Sequence, residues 1–139
     1  MQKKPITGKS NPSEDWHQKS RKSSRTEDWH QKQLIQWARQ YEWSQYLYHI
    51  ANETTGGVSW VTRNRQMGCR NGVPDLCLPI PMHGYHGLYI ELKTEHGRMS
   101  DEQKRWLAAL NQMGYKAECC MGWEKARDII AEYMEATDE

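Results

Sequence analysis

The sequence has no long hydrophobic run. Nothing in it approaches the ~20 consecutive apolar residues with which a helix crosses a bilayer. The lysines near the N-terminus are not followed by the apolar segment of a secretory signal, so no signal peptide, no membrane association and a cytoplasmic location are expected. The four cysteines, Cys69, Cys77, Cys119 and Cys120, form no C-x-x-C pair. Cys119 and Cys120 are adjacent and would point to opposite faces of a strand, poorly placed to bridge or to share a metal. Reduced thiols are expected, as in cytoplasmic proteins generally. His83-x-x-His86 lacks the partner ligands of a zinc site and reads as two loop histidines. An excess of positive charge is missing too: 19 Lys/Arg stand against 18 Asp/Glu, for a formal net charge of +1 over 139 residues.

That balance conceals an asymmetry. Residues 1–25 carry seven Lys/Arg and two acids, with Met1, Ile6 and Trp16 as their sizeable apolar side chains; the remainder is mildly acidic. The first stretch cannot bury enough surface to offset the cost of ordering it. A disordered basic arm over 1–25 is therefore expected, followed by one modest domain over 26–139. Because the body is acidic, any grip on nucleic-acid phosphates has to come from local clusters or from the arm. Arg63, Arg65 and Arg70 are one such cluster, read as contacts to DNA phosphates.

The segment "EDWHQK" occurs at 14–19 and again at 27–32. The first copy runs into polar residues. The second continues as "QLIQWARQY", where Trp29, Leu34, Trp37, Ala38 and Tyr41 recur at near-helical spacing behind Thr26, a residue suited to an N-cap. A helix beginning at Glu27 is predicted there. Strands are predicted at 46–51, 73–78, 88–94 and 115–121, a short helix at 58–67, and a closing helix at 123–134. Ser100 and Gln103 have the form of a capping box opening a helix to about Met113, with Trp106, Leu107, Leu110 and Met113 as its apolar stripe and Gly114 as its stop. Trp29, Trp37 and Trp106 are expected in the core. The order is that of an α/β domain: a mixed central sheet with an α-β-β-β-α-β core, flanked by helices, its second and third strands a hairpin and its third and fourth parallel through a crossover.

The third predicted strand reads "LYIELK". Leu88, Ile90 and Leu92 share one face; Tyr89, Glu91 and Lys93 share the other. If the hairpin pairs in the simplest way, Asp75 converges on Glu91. Two carboxylates aimed at one point repel unless something neutralises them, and a hard divalent cation such as Mg²⁺ or Mn²⁺ does so with oxygen ligands. A lysine beside them can orient a water or hold a phosphate. Two acids, a metal, a lysine and an activated water make a phosphodiester hydrolase.

The segment "NGVPDLCLPIPMHGYHGLYIELKTEHGRMSDEQKRWLAALNQMGYKAE" resembles the VRR-NUC (virus-type replication-repair nuclease) domain of the PD-(D/E)XK superfamily, with Pro74-Asp75 as the PD and Glu91-Leu92-Lys93 as the E-x-K. The resemblance implies a restriction-endonuclease-like fold and metal-dependent cleavage of DNA. Stand-alone members, of phage and bacterial type, are similar to Holliday-junction resolvases, which implies branched DNA and a homodimer in a bacterial or phage-infected cell. It further implies Asp75, Glu91, the Leu92 carbonyl and Glu27 as metal ligands, Glu27 completing the acidic site from the first helix, Lys93 as the residue positioning the attacking water, Gln103 beside the site, and Asn52 as a DNA-binding position. The competing reading is a non-catalytic DNA-binding or recombination accessory module that keeps the fold.

Overall fold

The computed structural model describes residues 25–51 and 57–136. Residues 1–24 of the expected arm, the first "EDWHQK" copy and Asn52 lie outside them. Thr26 caps α1 (Glu27–Ala38), its hydroxyl accepting the Trp29 amide at 3.2 Å. His30, Leu34 and Ala38, four residues apart, form the buried stripe of that helix. Trp29 and Trp37 flank the stripe half-buried rather than filling the core, and Trp106 is likewise half-buried. The fully buried core is mostly aliphatic, with Cys120 and Tyr133 besides, and Trp37 packs against its edge.

A 3-10 turn (Glu42–Tyr46) leads to β1 (Tyr48–His49), followed by α2 (Val58–Gln66), β2 (Leu76–Leu78), β3 (Leu88–Lys93), α3 (Asp101–Gln112), β4 (Lys116–Met121) and α4 (Trp123–Met134). The four strands lie in the order β1-β2-β3-β4, with β1 and β3 antiparallel to β2 and β4 parallel to β3. This is the mixed α/β sheet flanked by helices that the sequence predicts. Two strands are shorter than expected. The 46–51 segment pairs only through Tyr48 and His49, because Tyr46 closes the 3-10 turn. The 73–78 segment pairs only from Leu76, for a reason that belongs to the site.

One face of the sheet carries Leu76, Leu78, Leu88, Ile90, Leu92 and Cys120, packed with Leu34 and Ala38 of α1 and Ala126, Ile130 and Tyr133 of α4 into one cluster. Burial of that much apolar surface is the main stabilising term of the domain. The other face carries α3. The capping box is made at its start, where the Ser100 hydroxyl accepts the Gln103 amide and Gln103 Oε1 accepts the Ser100 amide at 2.8 Å. Its far end is tied to β4 by Asn111, whose side chain donates to the Ala117 carbonyl and accepts the Ala117 amide. Of the stripe expected on α3, Leu110 is buried, Trp106 and Leu107 are partly buried, and Met113 is exposed. Met113 is the C-cap, where the chain turns off through Gly114.

Candidate active site

Asp75 is held by three groups from two neighbouring strand segments. Its backbone carbonyl accepts the Ile50 amide at 2.7 Å and lies 2.9 Å from His49 Nδ1. Its side chain accepts the Leu92 amide at 2.8 Å through Oδ2. Upstream, Gly72 has φ of +88°, and a Cβ there would meet the Glu102 backbone at 2.6 Å, so the loop entering Asp75 closes onto the first turn of α3 only with glycine.

The register explains the Pro-Asp pair. Leu76 faces Ile90 and Leu78 faces Leu88, so the next residue of that series, Leu92, falls opposite Pro74. Proline has no N–H and cannot give the Leu92 carbonyl its ladder bond. The Asp75 carboxylate meanwhile takes the Leu92 N–H. Pairing therefore stops at Leu76, one residue after the acid. The Leu92 carbonyl leaves the strand on the same side as its N–H, towards Asp75.

Glu91 and Lys93 are not on a solvated face. Both sides of β3 are covered: Glu91 is 1% exposed and Lys93 8%. A surface ion pair is thereby excluded as the reason for the E-x-K pattern. Lys93 Nζ lies 3.6 Å from Glu91 Oε1 and 3.5 Å from Glu27 Oε1 on α1. Gln103 Nε2 donates to Glu91 Oε1 at 2.8 Å. The same glutamine thus caps α3 through its oxygen and grips Glu91 through its nitrogen, so its capping and site roles coexist in one side chain. Glu91 Oε2 is buried with no hydrogen-bond partner.

Burial, reinforced by the neighbouring Asp75 carboxylate and opposed by Lys93, pushes the Glu91 carboxyl up to about 8. At neutral pH, without a further cation, Glu91 holds a proton. An orphaned oxygen beside a second carboxylate, both hard donors, fits an oxygen-seeking divalent cation. Among the described residues no three His, Cys, Asp or Glu side chains gather as a ready-made metal cage. Glu27 meets Lys93 from the solvent side, its side chain 48% exposed. The fold thus brings together Asp75, Glu91 and the Leu92 carbonyl, while Glu27, expected as a further metal ligand, is engaged by the lysine.

Two neighbours have no signal in the motif. Cys119 pairs in register with Glu91, and burial pushes its thiol up, so it stays protonated beside the carboxylates. Cys120 turns to the opposite face and joins the core, as adjacent residues of a strand must. His49, which meets the Asp75 carbonyl, is an edge-strand residue that periodicity does not single out. Arg63 and Arg65 are exposed in the last turn of α2, and Arg70 is exposed in the loop behind it. Nothing on those three side chains ties them to the carboxylate pair.

No curated protein sequence matches the chain. Two solved chains do, and one of them, described as a VRR_NUC domain protein, is 26% identical over 78% of this chain and 88% of its own, with a TM-score of 0.69. The profile of the VRR-NUC domain family matches residues 13–124. That match spans most of the chain, including the E-x-K strand and the helix that follows it, and the chain belongs to the VRR-NUC domain family, with a nuclease-type fold.

Proposed function

We propose that this protein is a divalent-metal-dependent endonuclease that hydrolyses phosphodiester bonds in DNA, using Mg²⁺ or Mn²⁺ held by Asp75, Glu91 and the Leu92 carbonyl. The observation that carries the reading is the buried Glu91 carboxyl, forced against Asp75 with one oxygen unpartnered. A fold that needed only stability would gain from replacing it. Bound there, a hard cation supplies positive charge to the phosphate and acidity to a water.

The chain's own residues do the rest. Glu91 gives up its proton on loading and keeps its orientation through Gln103. Asp75 is aligned by the Leu92 amide, and the same contact fixes the peptide whose carbonyl faces the site. Lys93 is held between Glu91 and Glu27, where its ammonium donates to the attacking water or to a phosphate oxygen. Glu27 keeps that ammonium from collapsing onto Glu91. Arg63, Arg65 and Arg70 hold DNA phosphates away from the reacting centre, and Asn52 is a further DNA contact.

The proposed substrate is branched DNA, cut by a homodimer; the support is the likeness of stand-alone family members to junction resolvases. A two-fold dimer presents two sites to the two symmetric strands of a four-way junction. Among the described residues no helix is long and apolar enough to cross a membrane.

The test is a labelled panel of linear duplex, 5′ flap, splayed arm and four-way junction, each with Mg²⁺, with Mn²⁺ and with chelator, run beside Glu91→Gln. Metal-dependent cutting by the wild type and none by the variant is expected, with light scattering giving a dimer. Binding without cutting under either metal leaves the accessory-module reading instead.

A further inference from the structure

The face of the sheet that carries Asp75 and Glu91 continues past them as a row of aromatic side chains. Tyr48 of β1 pairs in register with Cys77 of β2, and Cys77 with Tyr89 of β3. Residues paired across strands point to one face, and Tyr89 is two residues from Glu91, so Tyr48, Cys77, Tyr89 and Glu91 share that face. Tyr115 joins them from the residue before β4, its ring edge-on to Tyr89 at 5.2 Å and to His86 at 5.6 Å. Cys77 is buried beneath the row, between the two tyrosines.

The packing on this face is lopsided. α3 lies against β4 and reaches Glu91 through Gln103. Two strands away, Tyr48 is 50% exposed, although tyrosine is rigid, largely apolar and placed on a sheet rather than in a loop. Strand spacing puts Tyr48 about 12 Å from Glu91 along the surface. That is within a few nucleotides of a phosphate bound at the carboxylates. A flat ring, backed by a buried neighbour and exposed on its outer side, suits a nucleobase, which offers a π-face whatever its identity. A paired duplex keeps its bases stacked on one another and offers none.

We propose that Tyr48, backed by Cys77 and Tyr89, is a stacking platform for an unpaired base of the DNA strand lying in the candidate active site, and that it biases the enzyme towards substrates with unpaired nucleotides next to the cut. The proposal rests on the nuclease reading above and adds to it a residue that determines specificity.

The test uses the full-length protein with chelator at fixed salt, since phosphate contacts are salt-dependent. The probe is a splayed-arm DNA with a single 2-aminopurine in its unpaired strand, whose fluorescence falls on stacking. A fully paired duplex is the control. Wild type and Tyr48→Phe are expected to quench the probe and bind it alike, within about twofold. Tyr48→Ala is expected to lose the quench and bind the splayed arm roughly tenfold more weakly, with the duplex less affected. In Mg²⁺ its ratio of splayed-arm to duplex cleavage falls with it. Circular dichroism confirms that the variant is folded.

Equal quenching and affinity in Tyr48→Ala overturn the platform, and leave the nuclease reading standing if the panel is still cut. Tyr48-dependent quenching without any metal-dependent cutting keeps the platform and removes the nuclease. A dimer that dissociates in Tyr48→Ala overturns the proposal in favour of a second copy on this face.

Discussion

Glu91→Gln tests the electrostatics of the site without DNA. The glutamine keeps the shape of the side chain and its carbonyl oxygen still accepts from Gln103, while its amide nitrogen, in place of the orphaned Oε2, can donate to Asp75. In the wild type the Glu91 carboxyl is raised from 4.5 to about 8. The folded state therefore binds more protons than the unfolded state between those values, and stability falls as pH rises through that window. At 1.36 kcal/mol per pH unit the ceiling is about 5 kcal/mol. The effective dielectric at such sites is well above that of a dry interior, so about 2–3 kcal/mol is expected. For a domain near this size each kcal/mol moves the midpoint by about 4 °C. In chelator the wild type should lose roughly 10 °C more than E91Q between pH 5 and pH 8.5, as measured by calorimetry. Carboxyls away from the site are the same in both proteins and cancel. Millimolar Mg²⁺ or Mn²⁺ at pH 8.5 should restore the wild type and leave E91Q unmoved. Identical pH slopes for the two proteins would refute the reasoning, because Glu91 would then carry no electrostatic penalty.

Gln103→Glu separates capping from catalysis. A glutamate keeps the capping box, so helix content should be unchanged, but it replaces the donor to Glu91 by an acceptor, and cleavage should drop roughly 10–100-fold; unchanged cleavage would show that the 2.8 Å bond is idle. His30→Ala addresses the frame. His30 Nδ1 accepts the Trp123 amide at 3.1 Å and so caps α4, whose own N-cap is Gly122. Losing it should cost about 1–2 kcal/mol and several degrees of melting temperature with metal affinity intact, and an unchanged melting temperature would mean that water replaces the ring at no cost.

Local pattern exposed much of this protein. The capping box, the stop at Gly114 and the helices at 58–66 and 123–134 follow from spacing and turn chemistry that act within a few residues. The E-x-K strand announced itself by alternation. Its burial did not. Read alone, "LYIELK" has one aliphatic and one charged face, and the charged face looks wet until α3 and α1 are laid against it. The bounds of β1 and β2 were also hidden, because a strand's length is set by what its partner can offer. Pro74 opposite Leu92 ends the ladder, and no window of residues 73–78 contains that information. The tryptophans misled for a related reason: helical spacing marks a face, while only the neighbouring elements decide how deep that face sits.

The sequence by itself determined the candidate residues: which acids, which lysine, which proline before the aspartate, and the order in which strands and helices carry them. These are covalent facts and short-range preferences. The tertiary structure decided which of them meet. It brought Glu27 onto Lys93 from 66 residues away, gave the capping Gln103 a second contact on Glu91, and left Glu91 Oε2 without a donor. It also lined up Tyr48, Cys77 and Tyr89 across three strands. Those relations depend on register and on which helix covers which face of the sheet, and both are fixed only when the apolar surfaces of distant segments are buried together.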